Sequence, residues 1–282
     1  MENFELAGGT IIGKDHHRNK FNNQDAYHIE QDHDIIVAFI CDGCGDKATS
    51  GFSEVGANIG CRLLTTATMR MAKQFPDYPI FLRENSFFFW EQVRNEVLAT
   101  IRYLCRQMGE EISESVIKYF LFTTIGVLIT PQWAQFVSIG DGVIIVNGQE
   151  LSIGPFPDNM PPYLGYTLVQ SSIDPELLKF QSQYSIPTSD LDSFLIGCDG
   201  VIDLIAADNL AVPTTKEVVG PISQFWQNDQ FFGNPLAITR QLAVINRDRQ
   251  TLDHERGRIC PQYGLLRDDT TLVVGRKRKE EE

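Results

Sequence analysis

The sequence predicts a layered α+β domain in which helices cover β-sheets. Three observations carry this. Apolar runs of strand length recur along the chain, two long segments repeat apolar residues at helical spacing, and strands and helices come in blocks rather than in strict alternation. The chain has 282 residues, of which 43% are hydrophobic and 22% charged, enough for a sizeable core and too apolar for general disorder. No internal repeat, low-complexity linker or break in composition divides it. Residues 1–275 therefore read as one domain and residues 276–282, RKRKEEE, as a frayed charged tail.

Taken in order, residues 6–14 and 25–30 read as short strands. Residues 35–41, IIVAFIC, are continuously apolar, which suits a strand buried on both faces. Ser53 is placed as the N-cap of a helix running to about residue 75, with Val55, Ile59, Leu63 and Leu64 at helical spacing. A Pro-Asp-Tyr-Pro turn at 76–79 leads to a second helix over 86–109, whose stripe is Phe89, Val93, Val97, Ile101 and Leu104. Strands follow over 122–130, 133–139 and 143–147, with turn signals at Pro131-Gln132 and Asp141-Gly142. Residues 150–190, rich in Pro and Ser, receive no assignment. Residues 193–198 form another apolar strand, 200–207 a short helix, 235–248 a longer helix and 271–274 the last strand.

The charge balance narrows the function. Lys and Arg number 24 against 37 Asp and Glu, a net charge of −13. That excludes a general nucleic-acid binder, which needs a basic stripe to displace counterions, and a polybasic membrane-surface protein. The first residues place an acid where a secretory signal would carry a base, and no run approaches the length of a membrane span. The six cysteines are dispersed, which fits a reduced, cytoplasmic setting better than a disulfide framework. Cys41 and Cys44 have the spacing of a redox or zinc pair, but no second pair completes such a site.

Some of the acids converge on strand ends. Three apolar strands finish in Asp-Gly: Asp42-Gly43, Asp141-Gly142 and Asp199-Gly200. Asp25 and Asp268 precede apolar strands, and Asp203 follows Asp199 by one helical turn. A carboxylate shielded by a core must be paired, hydrogen-bonded or bound to metal. Hard cations such as Mg²⁺ and Mn²⁺ take such oxygens, and a glycine lets the backbone approach an ion closely. Asp-Gly is also the commonest hairpin turn, and Asp141-Gly142 fits that reading well. Asp42-Gly43 leads into a loop and Asp199-Gly200 into a helix, so for these the cation reading is stronger.

At this point the residues resemble the metal-dependent Ser/Thr protein phosphatase family, type 2C, in its bacterial-like form. Lys20-Phe21-Asn22-Asn23-Gln24-Asp25 is similar to the family's opening Arg-x-x-Asn-(Glu/Gln)-Asp, and Asp42-Gly43-Cys44-Gly45 to its Asp-Gly-(His/Met)-Gly. Phe122 to Leu128 with Ser138-Ile139-Gly140-Asp141 resembles the Ser-Thr strand and Gly-Asp turn. Cys198-Asp199-Gly200-Val201-Ile202-Asp203 and Arg267-Asp268-Asp269-Thr270-Thr271 resemble the closing motifs. The resemblance implies a four-layer αββα fold, a central antiparallel β-sandwich flanked by helix pairs. It implies hydrolysis of phosphoserine and phosphothreonine by a hydroxide bridging two Mg²⁺ or Mn²⁺ ions, without a covalent intermediate. Asp42 is expected to bridge the ions, with Gly43 on one, Asp199 and Asp268 on the other, and Asp25 close by. Asp42 and Asp199 are then catalytic through metal-bound water. Asp141 and Asp203, with Asp199, are expected to hold a third ion. The implied partner is a phosphorylated protein, opposing a Ser/Thr kinase.

Two departures from the pattern stand out. The family's arginine, which clamps the substrate phosphate through a planar fork, falls on Lys20, a point charge. Lys20 is the expected phosphate contact and Arg18, two residues earlier, the alternative. The His or Met after Asp-Gly is Cys44 here. His16 and His17 read as exposed loop histidines, with a place at the site as the other reading. Pro161-Pro162-Tyr163 is either a ligand for a WW-type module or, as preferred, a rigid turn packing Tyr163 and Tyr166. Two other functions compete with the phosphatase: a catalytically weak phosphoprotein-binding regulatory module of the same fold, and a small-molecule phosphoesterase.

Overall fold

Side chains of a strand point alternately to its two faces, and Ile36–Gly43 (β3) shows how that builds the centre of the molecule. Ile36, Ala38 and Ile40 enter one hydrophobic core, while Val37, Phe39 and Cys41 enter another. The computed structural model describes residues 4–45, 51–74, 78–253 and 256–278. In it, β3 lies in a five-stranded antiparallel sheet with Asp25–Gln31 (β2), Phe122–Ile129 (β4), Trp133–Ile139 (β5) and Gln181–Pro187 (β8), in the order β2-β3-β4-β5-β8. A second sheet of five has the order β1-β12-β9-β6-β7, from Phe4–Ile11 (β1), Gly142–Val146 (β6), Gln149–Ile153 (β7), Ser193–Gly197 (β9) and Thr270–Lys277 (β12). The last strand in sequence thus lies between the first strand and β9.

One core holds residues of both sheets, including Ile36, Ile125, Phe136, Ile144, Phe194 and Val273, so the sheets face each other. The other core lies on the far side of the β3 sheet, under the helices Ser53–Gln74 (α2), Tyr78–Met108 (α3) and Ile112–Tyr119 (α4). The second sheet is covered by shorter helices: Gly200–Ala206 (α5), Gln224–Gln227 (α6) and Ala237–Ile245 (α7). Antiparallel sheets with helices agree with the expected fold class, and among the described residues the long helices lie against the β3 sheet. No helix among the described residues is long and apolar enough to cross a membrane.

The apolar strands agree with the sequence reading to within a few residues, and the expected stripe of α3 is buried at Phe89, Val93, Val97 and Ile101. Several expectations need correction. α3 begins at Tyr78, so Tyr78 and Pro79 are helical rather than a turn; proline is tolerated in a first turn. The remainder of that turn lies outside the described residues. Ser53 is the first residue of α2, and its hydroxyl is buried without a hydrogen-bond partner, so it is not a cap. Val55 is exposed; α2 buries Leu64 as expected, together with Ala57, Cys61 and Ala67. The first strand ends at Ile11, and Lys14–Asn19 (α1) follows, a polar helix with no apolar stripe to announce it. The unassigned segment 150–190 contains β7, β8 and 3₁₀ turns. The exposed hairpin Arg249–Asp253 (β10) and Arg258–Gln262 (β11) was also silent in the sequence.

The boundary at residue 275 moves as well. Arg276 and Lys277 belong to β12, and Arg276 donates to Glu5 Oε2 through Nε at 2.9 Å and through a terminal nitrogen at 2.8 Å. The rest of the expected tail beyond Arg278 lies outside the described residues. All six cysteines are free thiols and five are buried. Cys41 and Cys44 both lie in the helix-side core as free thiols, and Cys44 also faces the cleft described below. Pro161 and Pro162 are buried and the Tyr163 and Tyr166 rings lie 5.2 Å apart, which is the rigid-turn reading.

Gly56 fixes how closely α2 meets the end of α4: a Cβ there would lie 1.7 Å from the Tyr119 carbonyl oxygen. Gly56→Ala is expected to lower unfolding free energy in urea by about 1–3 kcal/mol. Gly233→Ala, where a Cβ would meet nothing within 4 Å, should stay within about 0.5 kcal/mol of wild type.

Candidate metal centre

The pairing of β2 with β3 sets Asp25 directly opposite Asp42. Like charges at opposed positions repel, and burial makes the repulsion worse. Asp25 is 7% exposed, and neither of its carboxylate oxygens has a hydrogen bond of ordinary geometry. Burial, with the nearby Asp269 and Asp199 charges, pushes its carboxyl up to about 7, against the Cys198 and Thr271 side chains, which lower it. Asp42 rises well above the usual carboxylate range, first through burial and then through Asp25, Asp199, Asp268 and Asp141. Every other acid of the expected core set therefore acts on Asp42.

The neighbouring backbone is shaped for close approach. A Cβ on Gly43 would lie 2.8 Å from Ser53 Cβ, and one on Gly200 would lie 2.0 Å from the Asp269 carbonyl oxygen. Asp199 stands where β9 passes into α5, and burial with Asp268 and Asp141 pushes it up to about 6. Asp141 lies between Gly140 and Gly142, whose φ values of 96° and 137° require glycine. The hairpin reading of this turn is corrected: β5 and β6 belong to different sheets, so the chain crosses the sandwich here. Burial raises the Asp141 carboxyl.

Asp42, Gly43, Asp141, Asp199 and Asp268 line one cleft of about 500 Å³. Asp25 is not on its wall. Asp158, Met160, Pro161, Tyr163 and Tyr166, from the segment without sequence assignment, form another part of the wall, and Cys44 also faces in. Asp203 lines an adjoining hollow of about 340 Å³ together with Asp199 and Asp268, and its Oδ2 accepts the Arg267 backbone N–H at 3.0 Å. Asp268 is the open member, its side chain 55% exposed, yet partial burial still raises it.

Asp269 was missed, and His16 entered only as the less favoured of two readings. Asp269 is 3% exposed, and its oxygens accept the backbone N–H of Gly13 at 2.7 Å and of Gln24 at 2.6 Å. It anchors the segment that carries Asp25. His16 is the other: its side chain is 16% exposed, it lines both hollows, and Nδ1 lies 3.0 Å from Asp269 Oδ2. The Asp269 contact raises the imidazole above its ordinary value, with burial opposing. The reading of His16 as an exposed loop residue is thus corrected, whereas His17 is exposed. The two expected phosphate contacts lie off the cleft wall. Arg18 lies over the Tyr263 ring, 3.9 Å from its centroid, and Lys20 is exposed at the end of α1; neither lines the cleft. Among the described residues, His16 is the one basic side chain on the cleft wall.

Unbonded buried carboxylate oxygens, opposed acids and an oxygen-rich wall are the donor set of a hard divalent cation. The residues present fit Mg²⁺ or Mn²⁺.

A family model described as Protein phosphatase 2C matches residues 12–230. Among solved structures, a variant of a bacterial serine phosphatase aligns with a TM-score of 0.53 at 12% identity, over 99% of this chain and 100% of that chain. A bacterial serine phosphatase aligns at 0.51 and 12%, over 99% and 100%. Serine/threonine phosphatase Stp1 from Staphylococcus aureus aligns at 0.49 and 13%, over 98% and 96%. At these identities the first two likenesses, with TM-scores above 0.5, show the fold. No curated protein sequence matches the chain.

The raised carboxyls set a pH dependence. Asp25 and Asp199 hold protons in the folded state that an unfolded chain releases near pH 4, so their contribution to stability is present in acid and is lost as pH rises through about 6 to 7. The metal-free protein is therefore expected to melt at a lower temperature at about pH 8 than at about pH 5, and saturating Mg²⁺ or Mn²⁺ should remove most of the difference. Thermal melts at both pH values, with and without the ion, check this.

Proposed function

The chain belongs to the protein phosphatase 2C family, and from that membership we propose a metal-dependent phosphatase that hydrolyses phosphoserine and phosphothreonine in proteins. The observation that carries the reading is the convergence of Asp42, Asp141, Asp199 and Asp268 on one cleft above the buried, unbonded Asp25. Asp42, the Gly43 carbonyl, Asp199 and Asp268 would hold two ions, with Asp25 beneath them. Asp141 and Asp203 would serve a third. When bound, such ions stabilise charge on phosphoryl oxygens and acidify a water.

The chain's own residues do the rest. Asp42 is fixed by pairing to Asp25 on one side and Thr123 on the other, so its carboxyl is held rigidly at the cleft floor. Tyr163 and Tyr166 wall the cleft with aromatic surface and limit water at the reacting ester. With no lysine or arginine on the cleft wall among the described residues, charge recognition of the phosphate falls chiefly to the ions. No enzyme side chain takes up the phosphoryl group. A phosphoprotein opposing a Ser/Thr kinase is the partner in this reading. A reducing compartment such as the cytoplasm is supported by the free thiols.

The test is Mn²⁺- or Mg²⁺-dependent hydrolysis of an aryl phosphate and of a phosphopeptide, abolished by a chelator. Absence of turnover on both at saturating Mn²⁺ would overturn the proposal. Asp42→Asn and Asp199→Asn should each lower kcat by at least about 10²-fold and weaken ion binding, whereas Asp203→Asn should cost less. Arg18→Ala and Lys20→Ala should leave KM within about threefold of wild type, since neither side chain lines the cleft.

A further inference from the structure

Taking the metal-dependent reading as given, the atoms that hold the ion extend beyond the aspartates. His16 Nδ1 lies 3.6 Å from Asp268 Oδ1 and 3.0 Å from Asp269 Oδ2. Donor atoms of these three residues all fall within 4.8 Å of one another. Bonds of about 2.0–2.2 Å to a common cation place neighbouring ligand atoms roughly 3 Å apart. Nδ1 is buried and makes no hydrogen bond of ordinary geometry, so its approach to Asp269 is close but bent. An atom left unsatisfied against two carboxylates is what an intervening cation would satisfy.

The three residues differ in what they are free to do. Both oxygens of Asp269 accept backbone N–H groups, which fixes its carboxylate beside Nδ1. Asp268 is open to the cleft. The imidazole is held by an edge contact with Phe21, the ring centroids 5.5 Å apart at 81°, and by the Phe21 N–H bond to the His16 carbonyl at 3.0 Å. Gln24 gives an independent sign of a ligand. It is 7% exposed, it lines the same cleft, and its Oε1 has no hydrogen-bond partner.

We propose that His16 supplies a nitrogen ligand to the divalent ion that Asp268 helps to hold, so that this centre prefers first-row transition ions to Mg²⁺. Imidazole binds such ions well, whereas Mg²⁺ keeps to oxygen. The arrangement adds a nitrogen to a set that is otherwise all oxygen.

The experiment loads the full chain with Mn²⁺ and records pulsed electron paramagnetic resonance for coupling to ¹⁴N, with ¹⁵N-histidine labelling to assign it. A histidine-nitrogen coupling is expected in the wild type and should vanish in His16→Gln. Calorimetric titration should show Mn²⁺ affinity falling at least about tenfold in that variant, with Mg²⁺ affinity within about threefold of wild type. Circular dichroism checks that the variant folds, and the wild-type spectrum stands without it. Bound Mn²⁺ without nitrogen coupling would make His16 a counter-ion only and overturn the inference alone. A wild type that binds no Mn²⁺ would overturn the inference together with the function on which it rests.

Discussion

Two aspartates facing each other across paired strands are the constraint on which the rest of the structure depends. Asp25 and Asp42 are placed by the same backbone ladder that builds the sandwich. Neither can move away without breaking the register of β2 on β3, which a one-residue slip would invert. Their mutual repulsion is therefore built into the fold, and the surroundings answer it. Gly43 and Gly200 leave room for close approach. Asp141, Asp199 and Asp268 add acid where a protein without a cation would place bases. Asp269 is buried with a backbone N–H group donating to each of its oxygens.

Much of this was legible from the sequence because it obeys simple periodicities. A strand buried on both faces must be apolar throughout, and residues 35–41 are. The stripe of α3 shows the helical period at Phe89, Val93, Val97 and Ile101. Asp-Gly at the ends of apolar strands marked three residues that line one cleft. The failures are equally physical. α1 is six polar residues and has no apolar face to detect. β7 and β8 are mostly exposed edge strands, so alternation is weak. His16 and Asp269 act through contacts more than 250 residues apart in sequence, which no local pattern records. The doublet Asp268-Asp269 held a clue, since adjacent residues entering a strand point to opposite sides. One faces the cleft and the other the interior. Lys20 and Arg18 were assigned by motif position, but the chain around them forms a helix that turns Arg18 onto Tyr263.

The cleft is made of two unlike materials. Its floor comes from strand ends fixed by pairing on β3 and β12. Much of its rim comes from residues 154–180, which have only 3₁₀ turns and carry Tyr163, Tyr166 and Met160. Sites hold their chemistry best on rigid elements and vary their selectivity on loops. That division lets one acid constellation serve different partners through changes confined to the rim. The unequal outer layers fit the same division, with the long helices α2 and α3 bracing the sheet that carries Asp25 and Asp42.

The position of β12 also has a consequence for synthesis. The last strand lies between β1 and β9, and the residues just before it close the cleft against the loop after β1. A chain that stops before β12 can pair β2 with β3, but it lacks Asp268, Asp269 and the strand that joins β1 to β9. Such long-range closure comes late in folding, because its loop entropy must be overcome first. During translation the acids stand opposed without the partners that complete their site. A chain interrupted before β12 would keep Asp25 against Asp42 with the acid cluster incomplete and the second sheet divided.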